Sequence, residues 1–338
     1  MAGKKIYIGA DRSIDLVGLG NAIVDILVNV DDEFLKIHQL EKGSMNLINL
    51  EKSNSLLNNC EIIKSISGGS CANTVVSLAE MGNNVQFIGR TKNDYFGNIF
   101  SDDIKKSGAL FETPMINIGD SSAHSIIFIT PDAQRTMCSY LGASILFNSN
   151  DIDFNSIKNS NYLYLEGYLW DSDQSKEAFI KAAKLGKESN TKIILSLSDS
   201  FCVNRHRESF LELIRKYVDI LFCNEGEILS LLGRIKFEEC KKNLHSLCSL
   251  IVITFGENGS MIFNEGKIIN IKPSQPSKII DTTGAGDIYA GGFIHGLIHQ
   301  YPLSLCGDLA SLCAGQIISQ YGARSEIDLK KIIDMNFN

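Results

Sequence analysis

The chain has 338 residues, 44% of them hydrophobic and 21% charged, which suits a folded soluble protein of one large α/β domain or two smaller ones. Its formal net charge is −7 and no run of Lys and Arg is longer than a pair, which argues against a general nucleic-acid binder. Nine scattered cysteines, none in a Cys-x-x-Cys pair, favour reduced thiols over a disulfide frame and speak against a structural zinc site. Residues 1–20 hold no apolar run of signal-peptide length, and no stretch approaches the roughly 20 apolar residues of a membrane span. The expected location is the cytoplasm, with no membrane or nucleic-acid partner.

In chain order, apolar runs of strand length fall at 14–20, 85–90, 125–130, 162–167, 192–198, 219–224 and 250–256. Several are apolar at nearly every position, as strands buried on both faces are. Helical patterns lie between them at 70–82, 98–108, 175–190 and 206–218, the first two ending in Met-Gly and Ser-Gly, a C-cap signal. This alternation predicts parallel strands with helices on both faces. Residues 21–50 and 109–142 break the rhythm: they alternate like strands and lack a helix of crossover length. They are expected to form a small sheet, inserted into and covering one edge of a single domain spanning 1–338.

The stretch "DTTGAGD" (281–287) opens the apolar helical run "IYAGGFIHGLIHQ". A helix N-terminus offers unpaired N–H groups and the positive end of the dipole. Glycines at 284 and 286 let those amides approach an oxygen that side chains would block. Such a turn suits charge developing on a phosphoryl group, and Asp287 at its mouth could act as general base. No G-x-x-x-x-G-K-[ST] is present, so ATP is not held by a Walker loop. "GLGNAI" (18–23) begins like a dinucleotide motif, but position 23 is Ile and the next residues alternate like a strand; a Rossmann reading is rejected. His295 and His299 are spaced i, i+4, but with no third ligand in view a helix-face role is preferred over a metal site.

The full D-T-T-G-A-G-D resembles the hallmark motif of the ribokinase-like (PfkB) family of carbohydrate and nucleoside kinases. Three further stretches resemble that family in the same order: "SGGSCANTV" (67–75), "NEGE" (224–227) and "TFGENGS" (254–260). The resemblance runs from about residue 15 to about 325 and implies a three-layer α/β/α core, with a mostly parallel central sheet and a small β-sheet lid. It implies Asp287 as base and the amides of Gly284, Ala285 and Gly286 as anion hole. Asn224 and Glu227 would organise Mg²⁺ and phosphates through water, though the same pair is a helix capping box. Thr254, Gly256 and Gly259 would line ATP, although alone this stretch reads equally as a hairpin turn. Asp281 and Thr283, with backbone from 320–323, would be the place for a monovalent cation such as K⁺.

For the acceptor, the resemblance implies Asp25 as reader of a sugar diol, with Asn21, Gly68, Gly69 and Asn73. By pattern alone Asp25 is a solvent-facing residue on an alternating strand. "TPDAQRTMCSYLGAS" (130–144) resembles the adenosine-kinase branch, which would set Arg135 near the transferred phosphate. Gly-Gly-Ser-Cys-Ala-Asn at 68–73 departs from the Gly-Gly-Lys-Gly-Ala-Asn of ribokinases and argues against ribose. The expected activity is ATP-dependent phosphorylation of a nucleoside 5′-hydroxyl, adenosine to AMP, by a monomer or homodimer. A PfkB-type sugar kinase is the first alternative and a silent nucleoside- or sugar-binding sensor the second.

Overall fold

The structure, a computed structural model, describes residues 12–132, 134–276, 278–325 and 327–337. Residues 1–11, on which much of the reading of the N-terminus rests, and Ala133 of the 130–144 run lie outside the described residues. The strands are β1 (Ile14–Leu19), β2 (Ile23–Asn29), β3 (Met45–Leu47), β4 (Ile62–Gly68), β5 (Val85–Ile88), β6 (Ala123–Ile129), β7 (Arg135–Tyr140), β8 (Ser160–Glu166), β9 (Lys192–Ser196), β10 (Ile220–Asn224), β11 (Leu250–Thr254), β12 (Ser260–Asn264) and β13 (Lys267–Ile271). They form an eight-stranded sheet, ordered β13-β12-β11-β10-β9-β8-β1-β5, and a five-stranded sheet, ordered β3-β7-β6-β2-β4. From β11 to β5 the large sheet is parallel; β12 and β13 continue it antiparallel.

Successive residues of a strand point to opposite faces, and the two faces of the large sheet feed two separate cores. Leu16, Tyr162, Ile194, Ile220 and Val252 enter one; their neighbours Val17, Leu163, Ile193, Leu221 and Ile251 enter the other. The first core is closed by the helices Ser70–Glu80, Ala285–Ile298 and Leu303–Ile317. The second is closed by Asp173–Glu188, Ser200–Tyr217 and Glu225–Leu232. Helices on both faces of a mostly parallel sheet make three layers, as the sequence led us to expect. Among the described residues no helix is long and apolar enough to cross a membrane.

The small sheet departs from its expected boundaries. Segment 21–50 contributes only β2 and β3, and the sheet also takes β4 at 62–68, paired antiparallel to β2. Residues around 110 stay with the large sheet: beside β5, Phe87 N donates to the Leu110 carbonyl and Leu110 N to the Val85 carbonyl, and the small sheet is rejoined only at β6. The physical reason is visible in β4, where Ile62 and Ile63 are 42% and 56% exposed. Successive exposed apolar residues on an edge strand blur the in/out alternation that marks a half-buried strand.

Candidate active site

Several segments distant in sequence meet at one cavity of about 830 Å³. On the large-sheet side, Glu166, Ser196, Asn224 and Thr254 are each the last residue of their strand. They stand in register, Glu166 beside Ser196 and Asn224 beside Thr254, and all four line the cavity. Open parallel sheets bind ligands at this carboxyl edge. On the small-sheet side, β2 turns Val24, Ile26 and Val28 into the core and leaves Ile23 and Asp25 facing the cavity. The residue that alternation alone reads as solvent-facing is therefore a wall of the site.

The turn before the helix Ala285–Ile298 forms the floor. Gly284 is its N-cap with φ 77°, and a Cβ there would lie 2.3 Å from Cβ of Ala323. Both the left-handed backbone and the close approach require glycine. Gly284, Gly286 and Asp287 line the cavity; Ala285 does not. The Asp287 carboxylate is held from both sides: Ser70 Oγ donates to Oδ1 at 2.6 Å and Asn73 Nδ2 to Oδ2 at 2.8 Å. Thr74 Oγ1 also donates to the Asp287 carbonyl, at 3.1 Å. Burial pushes the Asp287 carboxyl up to about 6, opposed by Ser70, Asn73 and Arg324.

Asn73, expected at the substrate, thus spends its amide on Asp287, while its buried Oδ1 has no partner among the described residues. Asn21 is likewise committed: its backbone N and its Nδ2 both donate to Glu166 Oε1, at 3.2 and 2.8 Å, and its Oδ1 is unpartnered among the described residues. Two buried acceptors on the cavity wall suit ligand donors, since an unmet buried polar atom is costly. Asp25 packs on Gly68, where a Cβ would sit 2.3 Å from Oδ2. Burial raises its carboxyl to about 6, against the pull of Arg324 and Arg135. Gly69 lines the cavity and Gly68 lies behind Asp25.

Asn224 and Glu227 form the reciprocal capping box that their spacing suggests. Glu227 Oε2 and Oε1 accept from Asn224 N and Nδ2 at 2.9 and 2.8 Å, and Glu227 N donates to Asn224 Oδ1 at 2.9 Å. Burial lifts Glu227 to about 7. Thr254 lines the cavity; Gly256 and Gly259 shape the turn beyond it, without lining it. Arg135 does not itself line the cavity but is fastened at its edge: Nη2 pairs with Asp281 Oδ2 at 2.6 Å, and Nη1 donates to Oγ1 of Thr283, a lining residue, at 3.0 Å. Asp281 also accepts from Thr283 N and Gly322 N. The oxygens expected to meet a monovalent cation are engaged by a guanidinium in this arrangement. His295 packs into the helix face, buried and 2.9 Å from Asn83 Nδ2 through Nδ1.

Glu166, Ser70 and Arg324, each bonded to residues of the site or to their chain neighbours, escaped the sequence reading. Glu166 is buried, raised to about 7 by burial, and bonds Asn21 and Cys71 N. Its available signal was its place at the end of the 162–167 run, the same rule that flags Asn224. Ser70 and Arg324 reveal themselves only through contacts more than 200 residues distant in the chain.

A cavity at the carboxyl edge of a mostly parallel sheet in a three-layer fold is an arrangement that suits a phosphotransferase, and comparison with known proteins gives the family. Residues 43–330 match the pfkB family carbohydrate kinase domain. A probable sugar kinase from Rhizobium etli superposes with a TM-score of 0.89 at 35% identity, covering 96% of this chain and 98% of that one. Adenosine kinase from Sinorhizobium meliloti superposes with a TM-score of 0.89 at 36% identity, covering 95% and 99%. A 5-dehydro-2-deoxygluconokinase of Clostridium botulinum is 27% identical over 286 residues, 80% of this chain and 84% of that protein. The chain belongs to the pfkB family of carbohydrate kinases. It is a kinase with a ribokinase-like fold, and membership implies a small-molecule acceptor and the use of ATP with Mg²⁺.

Proposed function

We propose that this kinase phosphorylates the 5′-hydroxyl of a nucleoside, adenosine before others. The observation that carries the proposal is Asp287: a carboxylate fixed by Ser70 and Asn73, at the mouth of the Gly284–Gly286 turn, in the same cavity as Asp25. Asp25 receives the two vicinal hydroxyls of the ribose, aided by the open acceptors of Asn21 and Asn73. Asp287, ionised, takes the proton of the 5′-hydroxyl as that oxygen attacks the γ-phosphorus of ATP and the bond to the bridging oxygen breaks, releasing ADP. The amides of the 284–286 turn face the charge that develops, and Arg135 sets positive charge beside Thr283, next to that turn in the chain.

The donor set at Asn224 and Glu227 fits Mg²⁺ held through water, because hard oxygens are present and each Glu227 oxygen keeps a lone pair beyond its bond to Asn224. Bound there, the ion neutralises phosphate charge. Thr254 borders the ATP end of the cavity. We read the single domain as lidded by the small sheet, whose closure over the cavity would exclude water from the transfer.

A nucleoside is favoured over a free sugar by the apolar part of the cavity. Met45, Ile127, Met137 and Leu141 line it, and Phe201 and Tyr168, 72% and 40% exposed, stand there with faces available to a flat base. The likeness to the Sinorhizobium adenosine kinase supports the same choice. A sugar acceptor is the second reading, favoured by the similarity to sugar and deoxygluconate kinases. The test is ADP release from Mg·ATP with adenosine, inosine, guanosine, ribose, fructose and 5-dehydro-2-deoxygluconate in parallel. We expect preference for adenosine; a sugar turned over in its place would keep the mechanism and replace the substrate.

A further inference from the structure

We infer that Arg324 is a positioning residue for phosphoryl transfer: its guanidinium locks the Gly68–Gly69 turn to the start of the helix that carries Ser70 and Asn73. Nε donates to the Ser67 carbonyl at 3.1 Å, Nη2 to Ser67 Oγ at 2.6 Å, and Nη1 to the Ala72 carbonyl at 3.1 Å. Ser67 and Ala72 bracket the turn, so one planar fork spans it. That helix begins at Gly69 without a side-chain cap of its own, and its first turn is fixed from outside. Ser67 is anchored in turn by Asp103, whose Oδ2 accepts from Ser67 N and Oγ at 2.9 and 2.5 Å.

Of the two residues that hold the Asp287 carboxylate, Ser70 lies within the clamped span and Asn73 directly follows it. The segment that delivers Arg324 also reaches the opposite wall: Gly322 N donates to Asp281 at 2.7 Å, and Ala323 packs against Gly284. Residues 322–324 therefore tie the anion-binding turn to the diol-binding turn. Arg324 itself does not line the cavity, so it acts through Ser70 and Asn73. The acids around it are Asp103, Glu80, Asp25 and Asp287, with Asp328 beside Glu80. Its charge holds the Asp25 and Asp287 carboxyls lower than burial alone would leave them. A lysine retains the charge but presents a point ammonium where three acceptors need a fork.

The role rests on the proposed phosphotransfer, and the test separates the two. Full-length wild type, R324K and R324A are assayed for ADP release with Mg·ATP and adenosine across the Asp287 titration, with thermal melting alongside. R324K should lose kcat by on the order of tenfold to a hundredfold, as a displaced catalytic group does, with its acid limb in place. R324A should lose more, with the limb moved to higher pH, and added guanidinium should restore part of the rate where methylammonium does not. R324K with wild-type kcat, or an R324A loss that merely follows its melting temperature with the acid limb unmoved, overturns the role. If R324A does not fold, R324K carries the decision. Wild type silent on adenosine would overturn the proposed acceptor, a different failure, and the three proteins are then compared on the acceptor that wild type does turn over.

Discussion

Two carboxylates face one cavity, Asp25 from a strand of the small sheet and Asp287 from the first turn of a helix, and their surroundings differ. Burial lifts both Asp25 and Asp287 to about 6. Asp287, on the helix side, is gripped by two side-chain donors, one on each oxygen. Asp25, on the small sheet, is backed by Gly68, and among the described residues no hydrogen bond to its carboxylate is seen. A gripped carboxylate keeps one orientation and can meet one proton in line. An ungripped one keeps its lone pairs for ligand donors. On this account Asp287 reacts and Asp25 binds.

Removing each group should break that division in its own way. D287N should reduce kcat by about 10²- to 10⁴-fold, the usual contribution of a positioned base, with nucleoside affinity nearly intact by calorimetry. D25N should do the reverse, weakening nucleoside binding by about tenfold to a hundredfold, because charged hydrogen bonds contribute about 1.5–3 kcal/mol each. A D25N variant that binds normally and fails in turnover would collapse the distinction. S70A sharpens it: losing a donor to the ionised form raises the Asp287 carboxyl further, so the acid limb of kcat/KM should move up by as much as about one pH unit.

The smallest effect concerns stability without ligand. Asp25, Asp287, Glu166 and Glu227 all bind their protons more tightly in the folded chain, at about 6 to 7, than carboxyls do unfolded, at about 4. Between these values the native state holds more protons, so stability falls as pH rises through that window. The apo protein should melt at a lower temperature at pH about 7.5 than at about 5, and D287N should show a shallower decline.

How much of this was legible depended on how local the cause was. The parallel core could be read because β8 is buried at every position and sits between helical patterns. The capping box of Asn224 and Glu227 spans four residues and was visible as spacing. The helix Ser200–Tyr217 was legible only in its second part, since a non-helical residue at His206 interrupts its period and its true start is capped by Asp199. Asp25 was misleading alone, because alternation reports which residues share a face and not what covers it. The clamp on Asp287 was beyond reach from local pattern: Ser70 is 217 positions away, and Arg324 is 257 from Ser67.

The most direct test of the division between the carboxylates is the pH dependence of single-turnover phosphoryl transfer to adenosine, in wild type and D287N. The account predicts that the wild-type rate is level above about 6 and falls below it as the base takes up its proton. The residual rate of D287N should lack that limb. A flat wild-type profile, or the same limb in both proteins, would contradict it.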